Sequence, residues 1–480
     1  MTRRRPAASA LAAIGAAGGS LLLGCLVGPA CSSRSPGGYA LYTDASAGLG
    51  TSPGQTTVRD DAGASLKPWP RPGITCSGAS PCPGDPGAGS VYVTISGESN
   101  AISGYPFPPA DWSRDTYFVD GWELIITEYI VVVDQVKLWS NPNRTPSNQG
   151  SLEGMSQVAH LDGPFVVDLH KGGSLTGQGG APEQATPIGV IQNQNDNGNA
   201  PFDATTTYGF GFSTVSATWD AYNVNLTSDE AADFAAMVES GASVFYRAHL
   251  TWNGAQSTYG CTQSSAGSSA DAGADGGGYD YAQMPNAGIE LAFAFSTPTD
   301  YVNCQNMSLQ GMPNPGEDYP RGIQISTSQS AIAQVTVHMD HPFWESLAEN
   351  SPVHFDPIAA QYVGQDAGQS GPTARVDDMK GVAFYAFTDR AGTPLPWRNC
   401  AGPNYTAPGN GQMRYDTLSV PVDPQGTCTG ALGADYTTDR CPALRDYRDY
   451  LRFSQSTQGH LNSQGLCFID RHFPAPAGGS

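Results

Sequence analysis

Between residues 89 and 341, apolar and polar side chains alternate with period two or fuse into short β-branched and aromatic runs. That pattern predicts strands over residues 90–95, 122–126, 129–139, 164–169, 188–191, 208–215, 244–252, 289–295 and 332–340. Gly, Pro, Asn and Asp interrupt them at irregular spacing. The expected fold is mainly β, an antiparallel β-sandwich with Tyr, Trp and Phe filling the space between two sheets. One helix stands out. Thr227 and Glu230 form a capping box, Ala231, Phe234, Ala235 and Val238 repeat at helical spacing, and Gly241 closes it, so a crossover between the sheets is expected there. A short amphipathic helix is expected after His341-Pro342, with Phe343, Trp344, Leu347 and Ala348 on it, and another over residues 442–453.

The pattern fails in two places. Residues 25–88 are Ser, Gly, Pro, Ala, Thr and Asp with few large apolar side chains, too little to offset the entropy of ordering, and read as a disordered tether. Residues 262–280 read as a low-complexity surface insertion, whose Asp271 and Asp275 lack the spacing of a calcium loop. The chain therefore divides into a leader at 1–24, the tether at 25–88, a sandwich domain at 89–341, and a disulfide-bound, loop-rich C-terminal subdomain at 342–475.

Composition narrows the function. With 44 acids against 23 bases the formal charge is −21, which disfavours a nucleic-acid partner, and the 58 Gly and 37 Pro exclude coiled coil and helical repeats. Past the leader no run approaches the roughly 20 apolar residues of a membrane helix. The one Gly-x-Ser-x-Gly match, Gly50-Thr51-Ser52-Pro53-Gly54, lies in the low-complexity stretch and not at a strand-to-helix elbow, and there is no Walker loop, His-Glu-x-x-His or dinucleotide glycine fingerprint.

The leader gives an address. Arg3, Arg4 and Arg5 precede a small-residue apolar stretch ending in Leu22-Leu23-Gly24-Cys25, the form of a bacterial lipobox in which Cys25 becomes the acylated N-terminus. Cys31 is the rival anchor, since acylation there would leave an even number of cysteines. Losing the three arginines takes the formal charge to about −24. The mature chain is expected outside the cytoplasm, lipid-anchored at the outer membrane or periplasmic face, with no other membrane contact. In that compartment Cys76, Cys82, Cys261, Cys304, Cys400, Cys428, Cys441 and Cys467 should form disulfides. Proximity in sequence suggests Cys76 with Cys82, Cys261 with Cys304, Cys428 with Cys441, and Cys400 with Cys467, among 105 connectivities.

Candidate chemistry concentrates in Thr336-Val-His338-Met-Asp340-His341-Pro-Phe-Trp344-Glu345. On a strand, Thr336, His338 and Asp340 share one face while Val335, Val337 and Met339 point into the core. His338 and Asp340 would be about 7 Å apart at Cα, and His341, at the turn before Pro342, can swing back toward them. A fourth ligand is expected from Thr457-Gln-Gly459-His460-Leu-Asn462-Ser-Gln-Gly465-Leu-Cys467, where glycines allow close approach and Cys467 can anchor the loop. Imidazole with carboxylate suits a transition metal, so His338, Asp340, His341 and His460 are the expected metal ligands, with Trp344, Glu345 and Asn462 in support. His170 in Asp168-Leu-His170, and His249, are weaker candidates. Arg471, eleven residues past His460, fits the substrate-binding arginine of iron(II) oxygenases.

On the paired segments Thr-x-His338-x-Asp340-His341-x-Phe343 and Gly459-His460-Leu461-Asn462 with Gly465-Leu466-Cys467, the chain resembles a group of uncharacterised secreted bacterial lipoproteins. Its arrangement is also similar to copper-associated periplasmic β-rich proteins. The resemblance implies a related fold. Members of the group often have an Asp-Gly-rich calcium loop after the first segment, where this chain has Gln365-Asp-Ala-Gly-Gln-Ser-Gly371, so calcium is not expected.

The leading expectation is a lipoprotein binding copper or zinc for storage, delivery or structural locking. The alternatives are a metal-dependent enzyme, hydrolase or iron(II) oxygenase-like, with an open coordination position, and a metal-free adhesion or carbohydrate-binding module. The last would keep His338 and His460 apart and expose an aromatic strip.

Overall fold

In the computed structural model the described residues are 87–474, without 111, 113–115, 146–147, 153, 255–260, 264–283, 286–287, 346–350, 366–370, 383–397, 401–430, 433–439 and 442–443, together with four short strands before residue 73. The chain is mainly β. Its principal strands are β1 (Val91–Ser96), β2 (Trp122–Trp139), β3 (Gln157–Leu161), β4 (Phe165–Asp168), β5 (Leu175–Gly177), β6 (Gly180–Ile191), β7 (Thr207–Thr214), β8 (Val244–Trp252), β9 (Ile289–Phe295), β10 (Thr299–Val302), β11 (Ala331–Val337), β12 (Gly459–Leu461), β13 (Gly465–Leu466) and β14 (Phe468–Arg471). Three helices matter here: α1 (Glu98–Ser103), α2 (Ala231–Ser240) and α3 (Tyr447–Gln455).

Two mixed sheets face each other. The first runs β13-β12-β11-β1-β6-β5, with β11 parallel to β1 and its other pairs antiparallel. The second has β9-β8-β2-β7-β10-β14 as its spine, with β3 and β4 also paired to β2. One apolar core joins them. Val93, Ile95, Val335 and Val337 from the first sheet pack with Ile126, Tyr129, Val131 and Phe293 from the second.

Strand β2 shows why the pattern broke near residue 127. The core-facing residues are Leu124 and Ile126, then Tyr129, Val131 and Val133, then Val136 and Leu138. Each change of parity coincides with a register shift, opposite Arg247/Ala248 and opposite Gly211/Ser213. A β-bulge inserts one residue and so turns the following side chains to the other face. The two expected strands are therefore one.

Helix α2 is capped as expected, with the Thr227 and Glu230 box at its entry and Gly241 at φ 66° at its exit. Its connectivity differs. The helix joins β7 to β8, which flank β2 in the same sheet, and packs Phe234 and Met237 on the outer face with Ile130 and Val132. It is a crossover within one sheet, because β7 and β8 both run antiparallel to β2 and so parallel to each other.

The disulfide pairing is also corrected. Cys304 bonds to Cys467, not to Cys261, and Cys467 therefore does not pair with Cys400. Strands β10 and β14 pair Val302 with Phe468, which brings the residues just outside that pair together at a Cα separation of 3.9 Å. Cys400 is itself disulfide-bonded, and the residue opposite it in register is Cys261. Side chains of Cys76, Cys82, Cys428 and Cys441, the tether apart from its four short strands, and most of the 262–280 insertion lie outside the described residues. Cys467 also sits where the chain passes from β13 in the first sheet to β14 in the second, so the bond fastens the corner. It closes a separation of 163 residues, worth on the order of 5 kcal/mol in the chain-entropy account. Among the described residues no helix is long and apolar enough to cross a membrane.

Candidate metal centre

The site grows from the pairing of β11 with β12. Val335 lies opposite Leu461, Thr336 opposite His460, and Val337 opposite Gly459. Parity then sends Val335, Val337, Met339 and Leu461 into the core and leaves Thr336, His338 and His460 on the other face. His338 is the diagonal neighbour of His460, and their rings stack with centroids 4.2 Å apart.

The strand ends at Val337, three residues earlier than the pattern suggests. Tyr129 Oη donates to the carbonyls of Val337 and His338, at 3.2 and 3.1 Å, and the His338 N–H donates to Gln458. The chain then bends into a single 3₁₀ turn, His341–Phe343, with Pro342 in its first positions. This is the described part of the expected helix. The turn returns His341 to the other two imidazoles, with its ring 5.3 Å from His338 and 5.8 Å from His460. One ring nitrogen from each of His338, His341 and His460 lies within 4.8 Å of the others, and the three could hold a metal ion. Two bonds of about 2.1 Å span about 4.2 Å, so a small side-chain rotation closes the set.

Neighbouring groups orient two of the rings. The Thr457 hydroxyl donates to the Ser454 carbonyl at 2.7 Å, so at 2.7 Å from His341 Nδ1 it accepts, and Nδ1 carries the proton. His341 Nε2 keeps its lone pair, is buried and has no hydrogen-bond partner. His338 Nε2 faces the Ser463 carbonyl at 3.0 Å and Glu98 Oε1 at 3.2 Å, which leaves Nδ1 to offer a lone pair once the ring gives up its second proton. Both nitrogens of His460 are buried and make no well-formed hydrogen bond, although backbone groups of Thr457 and Gln464 lie close enough to favour its charged form slightly. An unpaired buried polar group costs about 1–3 kcal/mol, so such a ring needs a reason.

The hairpin that presents His460 is built by close contacts. A Cβ on Gly459 would lie 2.4 Å from the Tyr301 ring, and one on Gly465 would lie 2.1 Å from the Gln305 carbonyl oxygen. Asn462 and Ser463 turn the chain at φ 51° and 75°. Asn462 is fastened to β11 by its N–H to the Gln334 carbonyl and its Oδ1 to the Gln334 N–H, both 2.8 Å, while the Ser463 N–H donates to Thr336 Oγ1.

Electrostatics divide the three rings. Burial, then the charge on His338, holds the pKa of His341 and of His460 well below the usual histidine value, so both are neutral at pH 7. Burial also opposes charge on His338, but Glu98 and Asp340 outweigh it and raise its pKa.

The remaining expected residues divide. Asp340 stays beside the site but outside the three-nitrogen set: its Oδ2 accepts the Trp344 indole N–H at 2.8 Å, and its Oδ1 is 4.0 Å from His341 Nε2. Trp344 stacks on His341 at 3.8 Å. Glu345 turns away to His354 Nε2 at 2.5 Å. Asn462 supports the hairpin and touches no candidate ligand nitrogen. Arg471 donates to Ser456 and lies over the Phe453 ring, outside the cavity described below, so the substrate role expected of an oxygenase arginine has no geometry here. Asp168 accepts the N–H groups of Tyr129 and His170, a structural role, and His249 pairs with Glu290. No Trp or Tyr among the described residues is exposed, and His338 touches His460, so the two features expected of a metal-free adhesion module are both missing there.

No protein-family model, curated protein or solved structure matches this chain. The site stands on its own geometry. Sequence reasoning gave no role to Thr457, Glu98 or Ser463. Thr457 lies inside the His460 segment, three residues ahead of it, and could have been noticed as a hydroxyl at a helix end. Glu98 had no signal, being 240 residues from His338.

The three histidines form one wall of a cavity of about 550 Å³. Asp340 and Trp344 also line it, as do Glu98 of α1, the Asp318-Tyr319 loop and Leu466. Three imidazoles with two neutral rings suit zinc, copper, nickel or iron and are a poor match for calcium or magnesium, which take oxygen ligands.

Proposed function

We propose that this chain is an extracytoplasmic lipoprotein, acylated at Cys25, that binds copper or zinc through His338, His341 and His460. The observation that carries the metal assignment is His460, a buried ring with neither nitrogen in a well-formed hydrogen bond, next to an unpaired His341 Nε2. A bound ion would take one lone pair from each ring and so remove a cost that packing leaves in place. The Thr457 bond to His341 is what outer groups do for a ligating imidazole: it fixes the tautomer and aims the other nitrogen. Asp340 is a reserve ligand, since freeing it from Trp344 would bring a carboxylate to the same ion. Storage or delivery suits this site better than structural locking, because the site borders a cavity and the fold is already stapled by Cys304–Cys467.

Elemental analysis of the purified mature domain tests the reading. The wild type is expected to hold one equivalent of copper or zinc, and a folded His338→Ala, His460→Ala double variant to lose at least about a hundredfold in affinity. Equal and negligible metal in both refutes it. Acylation is checked separately by membrane fractionation, where Cys25→Ala should release the chain and Cys31→Ala should not.

A further inference from the structure

We infer that the cavity facing the three histidines is a second binding subsite, for a small neutral or cationic molecule that places a nitrogen donor on the bound metal. The inference rests on the metal reading above and names the partner of that site. Three protein nitrogens leave at least one position on an ion that takes four or more ligands. That position has somewhere to open: the imidazole wall belongs to a cavity of about 550 Å³, within the roughly 300–1,000 Å³ of small-molecule sites. His460, 5% exposed and with neither ring nitrogen in a well-formed hydrogen bond, lines the same cavity.

The other walls select the charge of the occupant. They include Glu98, Asp318 and Asp340, with no lysine or arginine, so three carboxylates stand against the two charges of a divalent ion. An anionic ligand meets repulsion there, and a phosphate or carboxylate substrate has no cation to receive it. Tyr319 and Trp344 add aromatic surface, which together with the carboxylates suits an amine or other organic cation. Glu98 is fixed by His338 and by Gln464, whereas Asp318 is exposed and bonded through its backbone. Asp318 is therefore the rim charge that can be altered without touching the metal ligands.

The experiment uses the mature protein loaded with cobalt(II), whose visible spectrum reports coordination, titrated with histamine, imidazole and azide. Histamine and imidazole are expected to change the spectrum saturably, and azide to bind at least about tenfold more weakly than histamine. Asp318→Lys should weaken histamine by about tenfold, leave imidazole unchanged and strengthen azide. Stoichiometric cobalt with no spectral response to either imidazole compound overturns the subsite and leaves the metal site standing, as does azide binding equal to histamine. Failure to take up cobalt, copper or zinc at all overturns the metal reading, and the subsite with it.

Discussion

Two buried clusters that contain histidine stand out among the described residues, and they differ in what their ring nitrogens face. At the candidate metal centre, His341 Nε2 and both nitrogens of His460 meet no hydrogen-bond partner. At the second cluster, His354 has a carboxylate on each side, Glu345 at 2.5 Å from Nε2 and Asp120 at 3.7 Å from Nδ1. Asp120 Oδ2 also accepts the N–H groups of Phe355 and Asp356. Asp356 in turn holds the Arg398 guanidinium through both oxygens and takes the Trp122 indole N–H, and Arg398 stacks over Trp252. Burial does not distinguish the clusters. What does is whether each nitrogen faces an acceptor of the matching kind, and that decides which cluster is a lock and which can take up an ion.

The comparison breaks most sharply at Arg398. Replacing it with Met leaves Asp356 buried without its counter-charge, which should cost about 3–5 kcal/mol in chemical denaturation. The folded fraction should still bind metal at wild-type stoichiometry. A loss under about 1 kcal/mol would mean that the second cluster is not the lock its bonding suggests.

A smaller effect separates the clusters by pH. Burial opposes a charge on His354, but Glu345 and Asp120 overcome it and push its pKa up to about 10. A raised folded-state value gives stability that is complete below the ordinary 6.5 and drains away as pH rises toward 10. Within that window the slope is about 1.4 kcal/mol per pH unit. Denaturation midpoints at pH 7 and pH 9 should fall accordingly in the wild type, and the slope should flatten in His354→Gln. Equal slopes would remove His354 from the account.

How much of this was legible in the sequence follows from what each feature depends on. Parity along residues 335–339 needs only the strand period, so the division between core and site faces was visible, and the convergence of His338, His341 and His460 was readable from two short segments. The helix at Ala231–Ser240 declared itself through a local capping box. What failed depends on distant partners. The break in β2 is a bulge whose register lies on the neighbouring strands, and the Cys304–Cys467 bond follows from β10 pairing with β14 across more than 160 residues. The strand expected to run through residue 340, with Asp340 on its site face, stops at Val337. Tyr129 and Gln458 take the backbone groups that end it earlier, and Trp344 takes the carboxylate.

The finest test of the contrast is Thr457. In the second cluster a lost side-chain bond should appear as lost stability; at the metal centre it should appear mainly as lost affinity, because the bond serves to aim a nitrogen. Thr457→Val keeps the shape and removes both the acceptor for His341 Nδ1 and the donor to the Ser454 carbonyl. The ring can then take the other tautomer, with the proton on Nε2 where the lone pair is needed. Metal affinity should fall by about tenfold, the lower end for an outer-shell partner of a ligating histidine, while the metal-free protein loses about 1 kcal/mol. Thr457→Ser restores the hydroxyl and should restore affinity, measured by competition against a chromophoric chelator. If the Val variant binds as the wild type does, the hydroxyl does not set the tautomer, and His341 must be held by its stacking on Trp344 instead.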